Sequence, residues 1–147
     1  MPFEIRSPQS ADEWQAYYHF RWQQLRAPWS QPEGSEKDES EASGWHIFIL
    51  DESGNVSACG RLHQVEPGTG QIRYMAVASE KRQRGLGKAI LQKLESVARQ
   101  QGMSCIILHA RELAVGFYTQ LGYQTIAPSH TLYGRIRHLK MEKKLVG

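Results

Sequence analysis

The chain has 147 residues, 40% apolar and 22% charged, and a formal net charge of +3. That length and balance fit one globular domain over 1–147 with its own core, and they exclude a disordered or fibrous class. No apolar run approaches the roughly 18 residues that a membrane-crossing helix needs, so no membrane partner is expected.

Residues 3–5 read as a short strand. Ser10 followed by Glu13 resembles a capping box, and Trp14, Tyr17, Tyr18, Arg21 and Trp22 then recur at helical spacing. Pro28 ends that helix. Residues 31–44 are polar and carry Glu33, Glu36, Asp38, Glu39 and Glu41, which fits a loop or a frayed helix. A strand over 45–50, a turn over 51–55 and a strand of alternating faces over 56–64 follow. Residues 66–70 read as a turn and 72–77 as the next strand. A helix from Gly85 places Leu86, Ala89, Ile90, Leu94, Val97 and Ala98 on one side and stops at Gly102. The spacing then predicts a strand over 105–108, a short helix over 113–121 and two more strands. In the last, 135–142, Ile136, His138 and Lys140 alternate with Arg137, Leu139 and Met141. The order β-α-β-β-β-α-β-α-β-β predicts an α/β fold: a mixed, mostly antiparallel sheet of about six to seven strands, with helices on both faces.

Cys59 and Cys105 each fall inside an apparent strand. Two buried free thiols fit a reducing compartment better than a disulfide scaffold. The start Met1-Pro-Phe-Glu-Ile5 lacks a basic region and an apolar run, so no signal peptide and a cytoplasmic location are expected.

The most informative segment is Val77-Ala-Ser-Glu-Lys-Arg82-Gln-Arg-Gly85-Leu-Gly87-Lys88. An apolar strand enters a basic turn with Gly-x-Gly, and a helix starts at once. Glycine lets backbone N–H groups approach a ligand, and a helix N-terminus carries partial positive charge. Lys81, Arg82, Arg84 and Lys88 add whole charges, so the implied ligand bears phosphate. A dinucleotide fingerprint is excluded because Ile90 stands where the third glycine belongs. A P-loop is excluded because no Gly-x-x-x-x-Gly-Lys-Ser/Thr run exists.

The run Arg82-x-x-Gly85-x-Gly87 resembles the coenzyme A loop of the GNAT acyltransferases, Gln/Arg-x-x-Gly-x-Gly/Ala between a strand and a helix. Ala114-Val-Gly-Phe117-Tyr118-Thr-Gln-Leu121-Gly122-Tyr123 resembles that family's second signature, Ala-x-x-Phe-Tyr-x-x-x-Gly-Phe/Tyr. The two stand in the family's order, and the resemblance runs from about Trp45 to the C-terminus. The tail His138-x-x-Met141 resembles the ElaA-like branch. Arg111 departs from the pattern, because many members carry Asn three residues before that Ala.

The resemblance implies the GNAT fold and an acetyl-CoA-dependent N-acetyltransferase with no metal. Met75, Ala76 and Val77 would offer main-chain amides to pantetheine, between splayed strands. The amides of Gln83, Arg84, Gly85, Leu86, Gly87 and Lys88 would hold the pyrophosphate, with Lys81 or Arg82 toward the 3′-phosphate. Tyr118 stands where the family's frequent general acid stands, and it would also contact the cofactor. A tyrosine can donate to a developing thiolate, although Phe117-Tyr118 also fit simple core packing.

The base stays open among His63, Glu66, His109, His138 and water, with His63 and His138 carried forward as catalytic candidates. The acidic segment 33–41 reads as a solvated loop or as an attractor of a cationic amine. Trp14, Trp22 and Trp29 read as lining of the acceptor site, and Trp14 and Trp22, at helical spacing, also as core anchors. A non-catalytic acyl-CoA sensor is the alternative from another class. Nucleic acid is not an expected partner, since no recognition motif accompanies the basic clusters. The acceptor, a small-molecule amine or a protein amine, and homodimerisation are left open.

Overall fold

The computed structural model describes residues 3–82 and 84–145. Its elements are β1 (Glu4–Arg6), α1 (Ala11–Leu25), β2 (Trp45–Leu50), β3 (Val56–Glu66), β4 (Thr69–Val77), α2 (Leu86–Gln100), β5 (Cys105–Arg111), α3 (Val115–Gln120), β6 (Gln124–Leu132) and β7 (Ile136–Lys144). The strands form one sheet in the order β1-β2-β3-β4-β5-β7-β6. Only β4 and β5 run parallel; every other pair is antiparallel. This is the mixed, mostly antiparallel sheet expected from the element order. Among the described residues, no helix is long and apolar enough to cross a membrane.

One face of the sheet is covered by α2. Its Ile90, Leu91, Leu94 and Ala98 pack with Leu62, Ile72 and Ile106 in the main core. Burying a Leu or Ile side chain stabilises by about 1.5–3 kcal/mol, so this stripe holds the helix in place. The other face is covered by α1, whose Tyr17 and Phe20 pack on Phe48 and Cys59. The start of α1 is capped as expected: Ser10 Oγ accepts from the Glu13 N–H at 3.1 Å. The Glu13 carboxylate also accepts from the Gln9 N–H at 2.8 Å and from Arg6.

The turn expected over 66–70 is shorter in the structure. Gly70 lies inside β4, where a Cβ would meet Met103 Sδ at 2.6 Å and Leu62 Cδ1 at 2.8 Å. Its glycine serves close packing rather than turning. Both cysteines are buried and unpaired.

A bulge interrupts β4. Cys59 opposes Ala76 but Arg61 opposes Arg73, so Gly60 alone faces Tyr74 and Met75. Tyr74 has a positive φ of 60°. Such a conformation costs a bulky residue about 1–3 kcal/mol and persists only where its surroundings impose it. Here Arg21, Arg73 and Arg61 place guanidinium carbons 4.2, 4.7 and 5.1 Å from the Tyr74 ring centre. Cys59 Sγ donates to the Tyr74 carbonyl at 3.3 Å.

The arginines draw the acidic segment onto the sheet. Arg61 bonds Asp38 and Glu41, Arg21 bonds Glu41 at 2.9 Å, and Arg73 bonds Asp38 at 2.8 Å. Asp38 and Glu41 therefore neutralise buried guanidinium groups, and neither stands as a free charge on a solvated loop. Arg61 pulls the Asp38 carboxyl far below the ordinary carboxylate range, against the opposing effect of burial.

Candidate functional site

Parallel pairing of β4 with β5 runs from Thr69–Cys105 to Ile72–Leu108 and stops there. Beyond it the strands part, and two adjoining cavities fill the opening. The larger, of about 610 Å³, is bounded by Met75, Ala76, Val77, the 85–88 turn and Phe117. The smaller, of about 390 Å³, runs between Gln71–Tyr74 of β4 and His109–Arg111 of β5. Leu25, Met75, Arg111, Ala114 and Tyr118 line both, so the two cavities meet along this seam. Both volumes suit small-molecule ligands.

The basic turn supplies the far end of the larger cavity. Gly85 adopts φ 78° and caps α2 with no side-chain hydrogen bond. The first amides of α2 therefore lack a side-chain partner, as an anion site requires. A Cβ at Gly85 would meet nothing within 4 Å, whereas one at Gly87 would meet Phe117 at 3.3 Å. Arg82, Gly85, Leu86, Gly87 and Lys88 line this cavity. Arg84 is exposed and lies outside the lining. Gln83 lies outside the described residues. Lys81 is diverted: its Nζ donates to Asp51 at 2.7 Å and to Ser57 at 3.2 Å.

Tyr118 sits at the seam. Its ring packs edge-on against Phe117 and Tyr123, with centroids 5.0 and 5.8 Å away. Its hydroxyl has no hydrogen-bond partner among the described residues. Burial raises the hydroxyl pKa well above the ordinary 10.0, and the Arg111 charge offsets part of that. The group is therefore a phenol at neutral pH and can donate a proton.

The histidines separate. His138 lines the smaller cavity, and its Nδ1 donates to the Ile136 carbonyl at 2.8 Å. With Nδ1 donating, Nε2 is the unprotonated nitrogen of the neutral ring. Burial lowers its pKa below the ordinary histidine value. His138 stacks on His130 at 4.4 Å, and Ser129 Oγ links His130 to His109 at 3.1 and 2.6 Å. All three rings line the smaller cavity. Among the described residues, no group of three or more His, Cys, Asp or Glu side chains could hold a metal ion. His63 is not brought into either lining; its Nδ1 accepts from Arg61 at 3.0 Å. Glu66 is exposed at the end of β3, also away from both.

None of the three tryptophans lines either of these two cavities. Trp14 packs on Tyr17, Tyr18 and His46, Trp22 donates to the Gln31 carbonyl at 2.9 Å, and Trp29 tilts over Tyr133. Sequence reasoning missed Arg26, Arg73, Ser129 and His130 as cavity neighbours. No local pattern announces them, because they reach the site from α1, β4 and β6 through strand pairing.

The model of the acetyltransferase (GNAT) family matches residues 14–123 of the chain. The chain is similar to a Bacillus subtilis (strain 168) protein named as an acetyltransferase, 38% identical over 76 residues. Those residues are 52% of this chain and 51% of that one, so the chain spans about half the length of this curated relative. A Lactobacillus plantarum crystal structure named as an N-acetyltransferase has a TM-score of 0.86 at 19% identity, covering 99% of this chain and 100% of its own. An aminoglycoside 6′-N-acetyltransferase complexed with coenzyme A has a TM-score of 0.81 at 13% identity, covering 100% and 98%. At these identities the two structures speak for the fold alone. The family match rests on the chain's own residues, and from it the conclusion follows that this protein belongs to the acetyltransferase (GNAT) family.

Proposed function

We propose that this protein is an acetyl-CoA-dependent N-acetyltransferase that moves an acetyl group to a primary amine by direct attack in a ternary complex. The observation that carries the reading is the seam at Tyr118, where a cavity ending in a phosphate-type turn meets a second cavity. Coenzyme A would lie in the larger cavity, its pyrophosphate on the amides of Gly85 to Lys88, with Arg82 and Lys88 beside it. Its pantetheine arm would pair with the β4 edge at Met75 to Val77, which β5 leaves free. A fold relative complexed with coenzyme A supports this arrangement.

The amine would enter from the smaller cavity. Its nitrogen attacks the thioester carbonyl, the carbon–sulfur bond breaks, an amide forms, and coenzyme A leaves as the thiol. A main-chain N–H of the 75–77 edge is the candidate donor to the oxyanion. Tyr118 would protonate the departing thiolate, and neutral His138 would take the proton from the amine. Two buried free thiols support a cytoplasmic location as part of this reading.

Calorimetric titration with acetyl-CoA, against NADH as a control, tests the cofactor. Micromolar binding of acetyl-CoA alone is expected, and Gly85→Asp is expected to abolish it while the fold survives. Equal affinity in that variant would remove the turn from the site. Binding without any Tyr118-dependent thiol release would favour a sensor over an enzyme.

A further inference from the structure

The smaller cavity is a cationic chamber. Arg26, Arg73 and Arg111 line it together with the three histidines, and no Asp or Glu stands among its lining residues. Arg73 is ion-paired from outside with Asp38 at 2.8 Å. Arg26 and Arg111 are not. Arg26 donates through Nε to the Ser35 carbonyl and through Nη1 to the Leu25 carbonyl, and Nη2 has no partner among the described residues. Arg111 makes no side-chain hydrogen bond or ion pair among the described residues. It is half-buried, and burial followed by the Arg26 charge lowers its pKa.

The contrast within the same face is informative. The chain supplies Asp38 and Glu41 to Arg21, Arg61 and Arg73, but no carboxylate to Arg26 and Arg111. Two partly desolvated like charges with no counter-ion are unfavourable until an anion arrives. Guanidinium groups bind carboxylate and phosphate through two parallel hydrogen bonds.

We infer that the acceptor amine carries an oxyanion, and that Arg26 and Arg111 hold this anion in the smaller cavity. The inference rests on the N-acetyltransferase reading and narrows its acceptor. A volume of about 390 Å³ suits a small-molecule amine. Arg111 also lines the seam, so an anion held there keeps the amine end beside Tyr118. A polyamine or an aminoglycoside would bring positive charge against the two guanidinium groups that have no carboxylate partner, and the site discriminates against it by repulsion.

The test starts with acetyl-CoA binding by calorimetry, which stands independently of the acceptor. Thiol release is then measured with matched amines: amino acids against their amides, phosphoethanolamine, spermidine and an aminoglycoside. The expected result is at least a tenfold higher kcat/KM for the anionic member of a pair. Carboxylates or phosphoethanolamine leading the panel tells which oxyanion is preferred. Arg26→Gln, whose side chain lies outside the larger cavity, is expected to erase that preference by raising KM, with acetyl-CoA affinity within twofold. A thermal melt checks that the variant is folded, and the wild-type panel decides the matter even if it is not. Amides or spermidine equal to or better than the acids overturn the inference, as does acetyl-CoA binding with no anionic amine turned over. Absence of acetyl-CoA binding overturns the cofactor reading instead, and the inference falls with it.

Discussion

Ile72 and Leu108 are the last partners in the parallel pairing of β4 with β5. Beyond them β4 carries the bulge at Tyr74 and β5 turns into the segment leading to α3. A bulge adds a residue to one strand and bends it away from its neighbour. The opening that results exposes a backbone edge on β4 and makes room for both cavities. The site is thus a consequence of strand divergence, held open by buried arginines around Tyr74.

Gly60 is the residue that admits the bulge. A Cβ there would lie 2.7 Å from Ile90 Cγ2 and 2.8 Å from Met75 Sδ. Gly60→Ala is therefore expected to destabilise by about 1–3 kcal/mol, the usual cost of overpacking a core. Because Met75 lines both cavities, ligand affinity should fall as well. Denaturant unfolding and acetyl-CoA titration of the variant check the two effects, and full stability would show that the β3–β4 packing yields easily.

Tyr118→Phe removes a hydroxyl that has no partner among the described residues and leaves the ring packing intact. We expect stability within about 1 kcal/mol of wild type, since no hydrogen bond is broken. Turnover should fall by about 10²–10⁴-fold, the usual worth of a positioned acid, with acetyl-CoA affinity unchanged. Steady-state kinetics beside a thermal melt distinguish this from a packing role, in which Phe would keep the ring contacts and leave both turnover and stability unchanged.

Stability should depend on pH through buried histidines. His46 Nε2 donates to the Glu41 carbonyl at 2.8 Å, so Nδ1 accepts from Tyr17, whose hydroxyl is 2.8 Å away. Burial lowers its pKa in the fold, and the same holds for His63, His109 and His138. The unfolded chain then binds more protons below the ordinary value of about 6.5. The stabilisation is present above about 6.5 and is lost as pH falls through the folded values. Melting temperatures at pH about 7.5 and about 5 should differ in that direction. In His46→Gln the difference should shrink; an undiminished difference would assign it to other groups.

Arg61 is fully buried and answers two carboxylates, Asp38 and Glu41. Arg61→Ala would leave both without their main partner beneath the 31–44 segment. Removing one partner of a buried ion pair costs about 3–5 kcal/mol, because the remaining charge stays buried. Arg61→Met with Asp38→Asn should recover part of that loss. Chemical denaturation of the single and double variants measures it, and a loss below about 1 kcal/mol would show that solvent reaches the network.

Much of the architecture was legible because it is written locally. The capping Ser10, the apolar stripe Ile90–Leu94–Ala98, the alternation of Ile136 and His138 with Arg137, and the turn at Gly85 each depend on residues within a few positions. Periodicity and turn chemistry report such features directly. The element order followed, and with it the mixed sheet. Motif spacing also drew attention to Gly85, Gly87 and Tyr118, which line one cavity. It suggested Lys81 or Arg82 toward a phosphate; Lys81 is engaged by Asp51, while Arg82 lines the larger cavity. It gave no reason to separate His63 from His138.

What only the tertiary structure decided is which distant residues meet. His109 reaches His130 and His138 because β5, β7 and β6 lie side by side, and Arg26 and Arg111 share a cavity because α1 ends above the opening of β4 and β5. The acidic 38–41 segment neutralises Arg61 across a separation of some twenty residues, which turns an apparent solvated loop into a buried counter-ion. The physical reason is the same in each case. Charge and hydrogen-bonding needs are satisfied through space, while the sequence displays only neighbours along the chain. Residue types therefore set the elements and the basic Gly-x-Gly turn, and strand pairing chose the partners that shape the smaller cavity.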